Sequence, residues 1–341
     1  MKNDFLKYQA QTSPYPLGME VSHASGSYIY DTEGNAHLDF VAGVSACTLG
    51  HCHPEVVTAI KKQAEKYMHV MVYGEYAQST AYHGNTMGSL SLMDFEERKS
   101  VFRPLLPDIY HIRFNNEEDL EKITNKTACV ILETIQGGAG FIVPQNDYLK
   151  KVKKRCSEMG ALVILDEIQP GFGRTGKLFS FEHFDCVPDI LVIGKGMASG
   201  LPVGAFTSSK EIMETLSENP KMGHITTFGG NPVIAASSLA TLQVLLKTSL
   251  IEDTLKKEAL FKELLKHPKI KEIRGKGLML ALIMDSAETA NELVLRAKEE
   301  KLILFWLLFE NKAVRISPPL TISNAEIRKG CTTILKVLNY L

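Results

Sequence analysis

Short apolar runs alternate with amphipathic stretches through the middle of the chain. Three of these runs, 129–133, 161–166 and 190–195, end in a charged residue, namely Glu133, Asp166 and Lys195. Between the first two runs, residues 148–159 place apolar side chains at helical spacing. Strands that alternate with helices predict a parallel sheet, and ligands bind such sheets beyond the carboxyl ends of the strands. We therefore expect the three charged residues to share one site.

The same pattern predicts further helices and divides the chain into parts. Helices are predicted from Pro54 to about Tyr67 and from Pro232 to Lys247. Beyond them the order becomes helix, strand, helix and short strands, at 261–265, 277–284, 287–300, 302–305 and 314–316. We expect an N-terminal segment (1–50) that packs with the small domain, a large domain (51–245) that carries the site, and a small C-terminal domain (246–341).

Composition and charge narrow the class of protein. The 341 residues include 39 acidic and 38 basic side chains, so no net field favours nucleic acid or an anionic membrane as a partner. Neither a signal sequence nor an apolar segment long enough to cross a bilayer is evident. The six cysteines lack paired spacing and are expected to be reduced thiols. These features predict a soluble cytoplasmic enzyme that acts on small molecules.

The combination of Lys195 and Asp166 suggests a particular cofactor. A lysine amine forms an imine with an aldehyde, and a carboxylate beside a pyridine nitrogen keeps that nitrogen protonated. Pyridoxal 5'-phosphate contains both groups, so the two residues point to this cofactor. The run His51-Cys52-His53 looks like a metal site, but adjacent side chains project in different directions and no second cluster completes it. We expect a loop and helix cap there, and no metal.

One other motif favours a different class of enzyme. Residues 171–177 (Gly-Phe-Gly-Arg-Thr-Gly-Lys) match the spacing of a nucleotide-binding P-loop, and the acidic strand before them resembles one that holds magnesium. However, Leu178 replaces the hydroxyl that binds the metal, and the loop follows Gln169-Pro170 instead of a strand. A P-loop-like nucleotidase is therefore kept as the alternative from another class.

Longer motifs extend through nearly the whole chain: Leu49-Gly-His-Cys-His-Pro54, Tyr82-His-Gly84, Asp166-Glu-Ile-Gln-Pro-Gly-Phe-Gly-Arg-Thr-Gly176, Gly194-Lys-Gly196, Thr226-Thr-Phe-Gly-Gly-Asn-Pro232 and Arg315-Ile-Ser-Pro-Pro-Leu320. Together they resemble the class III pyridoxal-phosphate-dependent aminotransferases of fold type I, among them the acetylornithine, ornithine and 4-aminobutyrate aminotransferases. The resemblance implies an α/β fold, with a mostly parallel sheet flanked by helices in the large domain and a small C-terminal α+β domain. It also implies a homodimer with the active site at the subunit interface.

The resemblance assigns the contacts with the cofactor. Lys195 would hold pyridoxal phosphate covalently and then act as general base and acid on the substrate carbon. Asp166 would pair with the pyridinium nitrogen, and Gln169 would reach the ring hydroxyl oxygen. Tyr82 would stack on the ring, and Thr227 would contact the cofactor phosphate of the other subunit.

Contacts with the substrate follow from the same resemblance. Arg315 would bind a substrate carboxylate through two parallel hydrogen bonds. Glu133 and Thr226 are further candidates for contact with substrate. These roles imply transfer of an amino group from an ω-amine or (acetyl)ornithine-like donor to an oxo acid, with 2-oxoglutarate as the expected acceptor. An aminomutase of the same fold is the nearest alternative, because it would use the same lysine and aspartate.

The chain departs from the family where a segment is missing. Members carry a strand, a Ser-Gly-Thr-Glu-type turn and a helix that cup the cofactor phosphate, but here Gln78-Ser79-Thr80 runs directly into Ala81-Tyr82. Either the protein lacks this segment, or the printed sequence omits residues that the protein has. We expect the second, because loss of a central strand and its helix would disrupt the sheet. A true loss favours a cofactor-free binding protein on a degraded enzyme scaffold.

Two substitutions bear on specificity. Asn85 stands where an arginine usually follows the aromatic-x-Gly element, and Gly138 stands where a glutamate is usual. The first removes a contact for the donor's α-carboxylate, and the second removes a usual partner of Arg315. The donor therefore stays open among acetylornithine, ornithine, 4-aminobutyrate, putrescine and other ω-amines.

Overall fold

The computed structural model describes residues 19–65, 83–93, 96–217 and 228–341. Its strands are β1 Val21–Ser25, β2 Tyr28–Asp31, β3 Ala36–Asp39, β4 Cys129–Glu133, β5 Leu162–Asp166, β6 Ile190–Gly194, β7 Gly204–Ser208, β8 Ile270–Lys276, β9 Met279–Met284, β10 Leu302–Ile303, β11 Phe305–Trp306 and β12 Ala313–Ile316. Its longer helices are Pro54–Ala64, Met87–Leu92, Tyr148–Met159, Lys210–Glu214, Pro232–Lys247, Leu250–Leu264, Ala287–Glu299 and Asn324–Asn339. Single helical turns occupy Ala42–Ser45 and Glu96–Lys99, and Lys195–Ala198 is among the short 3-10 helices.

The sheet that carries the candidate site has the strand order β4-β5-β6-β7. β4, β5 and β6 run parallel, and β7 is antiparallel to β6. In this register Glu133 lies directly beside Asp166 on the neighbouring strand. The α/β fold with a mostly parallel sheet is therefore confirmed, and the charged strand ends lie along one edge of it.

Helix Tyr148–Met159 packs against this sheet as its amphipathic pattern predicts. Its buried residues are Tyr148, Leu149, Val152 and Cys156. The helix ends at Gly160, which adopts a left-handed conformation with φ 76°. Lys153 on its polar side pairs with Asp189, whose carboxylate also accepts the Val163 N–H at 2.7 Å. Asp189 thus ties the helix, β5 and the start of β6 together.

Two further sheets enclose the larger apolar core. One has the antiparallel order β11-β12-β9-β8, and all six residues of β9 are buried. The other has the order β1-β2-β3-β10, in which β3 pairs in parallel with β10. The N-terminal segment therefore contacts the C-terminal part of the chain. The domain boundaries at residues 50 and 245 stay predictions.

Two of the differences between the structure and the predicted elements lie next to each other in the C-terminal part. Helix Leu250–Leu264 begins well before the predicted 261–265, and β8 (Ile270–Lys276) was not predicted. β8 mixes charged and apolar residues, so its pairing with β9 rather than its own pattern sets its conformation. The predicted helix end near Tyr67 lies outside the described residues.

The cysteines and the apolar helices were both singled out by the composition. All six cysteines are free, and Cys156, Cys186 and Cys331 are buried. Burial raises the pKa of the Cys331 thiol to about 12, so this side chain stays protonated at neutral pH. Within the described ranges no single helix is long and apolar enough to cross a membrane. The helices 232–247 and 250–264 pass such a test only as a pair, which is bent by 72°.

Candidate active site

Lys195 begins a tight turn at the end of β6, where its amine enters a buried environment. Its backbone φ is 40°, in the left-handed region that is uncommon for non-glycine residues. Gly194 and Gly196 flank it, and a Cβ on Gly194 would lie 2.9 Å from the Val203 carbonyl oxygen. Burial lowers the pKa of Lys195, and the nearby positive charge of Arg315 lowers it further. The amine therefore releases its proton more readily than an exposed lysine does.

Asp166, at the end of β5, is held by two hydrogen bonds. Its Oδ1 accepts the Ile168 N–H at 2.9 Å, and its Oδ2 lies 3.0 Å from His83 Nδ1. The carboxylate is almost completely buried. His83 was not predicted as a site residue, although the Tyr82-His-Gly84 motif that contains it could have indicated it. The pair fixes the direction in which Asp166 presents its oxygens.

Glu133 is the second buried carboxyl group at this sheet edge. Its Oε2 accepts the Gly137 N–H at 2.9 Å. Burial raises the pKa of Glu133 to about 7, and the neighbouring charge of Asp166 raises it as well. Glu133 therefore keeps its proton to a higher pH than an exposed glutamate does.

Gln169 supplies an unused hydrogen-bond donor next to these groups. Its Nε2 is buried and has no hydrogen-bond partner among the described residues. Its Oε1 lies close to the Gly137 backbone, where an added Cβ would be 2.8 Å away. A buried amide donor of this kind is satisfied when a ligand brings an acceptor oxygen.

Arg315 reaches the same site from the other sheet. It lies on β12, opposite Phe305 of β11, and is buried. Its guanidinium carbon is 5.4 Å from the centre of the Phe141 ring, a distance at which a cation is attracted to an aromatic face. The planar guanidinium can form two parallel hydrogen bonds with a carboxylate.

An open cavity of about 670 Å³ joins these residues. It is lined by Val44, Glu133, Gly138, Asp166, Ile168, Gln169, Lys195, Phe305, Trp306, Leu308 and Arg315. Five predicted site residues, from strands and turns far apart in sequence, thus meet at one place. Three others, Tyr82, Thr226 and Thr227, lie outside the described residues.

The residues present fit pyridoxal phosphate. An aldehyde needs an amine with a lowered pKa, which Lys195 provides. A pyridinium nitrogen needs a fixed carboxylate, which Asp166 provides, and a ring hydroxyl oxygen needs a donor such as Gln169 Nε2. The three groups line one cavity.

The P-loop interpretation of residues 171–177 is wrong on structural grounds. The segment forms consecutive turns and is not followed by the helix whose N-terminus would bind phosphate. Arg174 is completely buried, and its Nη1 donates to the carbonyl oxygens of Leu278 and Pro318. Burial lowers the pKa of Arg174 to about 10. The loop therefore joins the site-bearing sheet to the C-terminal sheet instead of holding a nucleotide.

The His51-Cys52-His53 run also has a structural role. His51 Nε2 lies 2.7 Å from Asp39 Oδ2, and hydrogen bonds with Asp39 and Cys47 raise the pKa of His51 to about 10. A protonated imidazole does not bind a metal ion. His53 is the residue before helix Pro54–Ala64. Within the described ranges, no group of three potential ligands could hold a metal ion.

Comparison with known proteins gives consistent matches. The family model described as aminotransferase class-III matches residues 8–79 and 75–338. The acetylornithine aminotransferase of Caldanaerobacter subterraneus subsp. tengcongensis is 34% identical over 392 residues, covering 98% of both chains. Ornithine aminotransferase 1 of Staphylococcus aureus is 32% identical and covers 96% of both. The structure of the ornithine aminotransferase from Toxoplasma gondii, which shows partial occupancy of pyridoxal phosphate, superposes with a TM-score of 0.91 at 29% identity. That superposition covers 100% of this chain and 94% of the other.

The extent of these matches bears on the missing segment. The alignment with the Caldanaerobacter protein spans 392 positions, although this chain has 341 residues. The relative therefore has residues without a counterpart here. The two matches to the family model meet at residues 75–79, next to the junction of Thr80 and Ala81.

Proposed function

The chain belongs to the class III aminotransferase family, and we propose that it moves an amino group from an ω-amine or (acetyl)ornithine-like donor to 2-oxoglutarate. Enzymes of this family depend on pyridoxal phosphate. The observation that carries the assignment of residues is the meeting of Lys195, Asp166, Gln169 and Arg315 around one cavity. The names of the relatives, acetylornithine and ornithine aminotransferase, support the choice of donor class.

The protein's own residues would position the reactants and move the proton. When bound, pyridoxal phosphate supplies an electron sink that stabilises negative charge at the substrate carbon. Lys195 would take the proton from that carbon with its neutral amine and return it, which its lowered pKa favours. Asp166, oriented by His83, would keep the ring nitrogen charged. Gln169 would donate its unused Nε2–H to the ring oxygen.

Arg315 would recognise the oxo acid. Its guanidinium lines the cavity near Lys195, and the closeness of the two charges contributes to the lowered pKa of the lysine. A dicarboxylic oxo acid could then place one carboxylate on Arg315 and its carbonyl carbon near the amine. Glu133 and Thr226 stay proposed substrate contacts, and Tyr82 and Thr227 stay proposed cofactor contacts.

We also propose that the enzyme is a cytoplasmic homodimer. Large apolar side chains are exposed within a short stretch of the described chain, at Met87, Val101, Phe102, Leu106 and Tyr110. Parts of this stretch pack together, since the Leu106 N–H donates to Ser91 Oγ at 3.0 Å. Such exposure in one region is typical of a surface that another subunit covers. Thr227 of each subunit would then contact the phosphate in the other.

The 341-residue sequence, we infer, omits a segment that relatives carry between Thr80 and Ala81. The long alignment and the two family matches that meet beside this junction support the inference. The intact mass of protein expressed from the gene tests it. A mass of 37.8 kDa would contradict the inference, and a larger mass located by peptide mapping to this junction would support it.

The proposed function is tested by the absorbance spectrum of the purified protein after addition of pyridoxal phosphate. A visible band should appear in the wild type and be absent in Lys195→Ala. The matched control is Lys177→Ala, which removes an exposed lysine from the P-loop-like turn and should leave the band intact. Addition of N-acetylornithine or ornithine should bleach the band, and 2-oxoglutarate should restore it with release of glutamate. Bleaching without release of free glutamate would favour an aminomutase.

A further inference from the structure

The cavity wall formed by the 305–308 segment is apolar. Phe305 and Trp306 are half-buried, with ring centres 5.4 Å apart, and Leu308 is 36% exposed. Val44 and Ile168 add further apolar surface to the lining. Apolar side chains that keep exposed surface inside a cavity are available to bury an apolar part of a ligand.

The charged residues that line the cavity provide little stabilisation for a second ammonium group on the substrate. Of the lining residues, Lys195 and Asp166 serve the proposed cofactor, which leaves Glu133 and Arg315. Arg315 would repel an ammonium group. Glu133 is buried, one of its oxygens accepts the Gly137 N–H, and burial raises its pKa and so favours its neutral form.

Gly138 prevents an acidic side chain from joining this wall. A Cβ at position 138 would lie 2.7 Å from Cδ2 of Phe309 and 2.8 Å from Cε2 of the same ring. The Phe309 N–H donates to the Gly138 carbonyl oxygen at 3.0 Å, which fixes the two backbones against each other. The space that a carboxylate would need is therefore filled by the phenylalanine ring.

From this wall we infer that the enzyme prefers amines whose chain ends in an uncharged, apolar group over amines that end in a second ammonium group. The inference rests on the proposed function, because it places the reacting amine at Lys195 and the far end of the chain against Phe305, Trp306 and Leu308. Moving an ammonium group from water to an apolar wall costs free energy unless a carboxylate pairs with it. An alkyl or aryl end gains free energy from the same transfer.

Pentylamine and 1,5-diaminopentane test the preference, because they have the same reacting end and chain length and differ only at the far end. In the half-reaction, the amine carbon is oxidised to an aldehyde while the cofactor's aldehyde is reduced to an amine. We expect kcat/KM for bleaching of the holoenzyme band to be at least ~10-fold higher for pentylamine, which corresponds to about 1.4 kcal/mol. Equal values, or a preference for the diamine, would overturn the inference.

Two variants test whether the 305–308 segment causes the preference for pentylamine over the diamine. Leu308→Asp places a carboxylate beside the far end of the substrate. It should lower the ratio of kcat/KM for pentylamine to that for the diamine by about tenfold. The matched control is Leu246→Asp, at a leucine that is 64% exposed on helix 232–247 and does not line the cavity. It should leave the ratio unchanged. The inference is contradicted if the ratio of kcat/KM for pentylamine to that for the diamine stays constant in Leu308→Asp. It is also contradicted if this ratio changes equally in both variants.

Trp306 gives a readout that does not depend on turnover, because it is the only tryptophan of the chain. Its emission should change at lower concentrations of pentylamine than of the diamine, with or without bound cofactor. Equal midpoints would overturn the inference. If no visible band forms with pyridoxal phosphate, the proposed function fails while this titration still decides the preference.

Discussion

Two buried carboxyl groups, those of Glu133 and Glu167, keep their protons at pH values at which an exposed glutamate has lost them. Burial raises the pKa of each to about 7. Glu167 accepts the Ser180 and Phe181 N–H groups at 2.8 and 2.7 Å and so holds the short 3-10 helix that follows the 171–177 turns. Glu133 accepts one N–H and faces the cavity. The buried Glu167 thus stabilises the fold, whereas the buried Glu133 belongs to the site.

The raised pKa of Glu133 makes the stability of the apoprotein depend on pH. Below pH 4.5 the carboxyl is protonated in both the folded and the unfolded chain. Between pH 4.5 and about 7 it ionises mainly in the unfolded chain, so the free energy of unfolding falls as pH rises, until the folded chain has ionised as well. Glu133→Gln should remove this loss and raise the stability at pH 8 by up to about 3 kcal/mol. Urea unfolding at pH 5 and pH 8 measures the free energy of unfolding of both proteins. An equal gain in stability at the two pH values would contradict the prediction.

Gln169 allows a prediction in which apoprotein stability and cofactor affinity change in opposite directions. Gln169→Leu removes a buried donor that has no partner among the described residues, so the stability of the apoprotein should stay the same or rise. The affinity for pyridoxal phosphate should fall about tenfold, since about 1.4 kcal/mol is a typical value for one hydrogen bond. Quenching of Trp306 emission by the cofactor measures this affinity. Gln145→Leu, at an exposed position, is the control. A fall in apoprotein stability would contradict the proposed contact.

The secondary-structure elements at the site were largely predictable because burial leaves a simple pattern. β4 and helix Tyr148–Met159 have the predicted bounds, since runs of β-branched residues and helical spacing need no distant contact to be recognised. β8 escaped prediction because its residues alternate irregularly and its pairing with β9 decides its form. His83 escaped because only folding brings it within 3.0 Å of Asp166, 83 residues away.

Helix Asn324–Asn339 provides a prediction about packing between elements. Gly330 faces the ring of Phe40, and a Cβ at position 330 would overlap that ring. Phe40 is completely buried against Phe261, with ring centres 5.4 Å apart, so it has little room to move. Gly330→Ala should therefore lower the free energy of unfolding by about 1–3 kcal/mol, although alanine favours an isolated helix by about 1 kcal/mol.

The exposed Thr332 on the same helix is the control for this packing. Thr332→Ala should leave stability unchanged or increase it slightly, because alanine has the higher helix propensity and touches no core residue. Chemical denaturation of the two variants separates packing from propensity. If Gly330→Ala is more stable than the wild type, the prediction is wrong and the Phe40 ring can move to make room for the added Cβ.

The whole molecule is expected to exist as a pair of chains. Sedimentation or light scattering should give twice the mass of one chain, as measured on the denatured protein. Val101 is 80% exposed and Tyr110 is 83% exposed, so the double variant Val101→Asp/Tyr110→Asp should fold but shift toward the monomer and lose transaminase activity. Tyr340→Asp, at a residue 74% exposed near the C-terminus, should stay dimeric. A double variant that remains a fully active dimer would place the interface elsewhere.

β4 has a neighbouring strand on only one side among the described residues. The N–H and C=O groups on its outer side must find partners in the remaining residues, in solvent or in another molecule. A strand of Val, Ile and Leu with an open edge is a template for pairing between chains that have not finished folding. Before those partners are in place, chains at high concentration can pair with one another through β4 instead of completing the active enzyme.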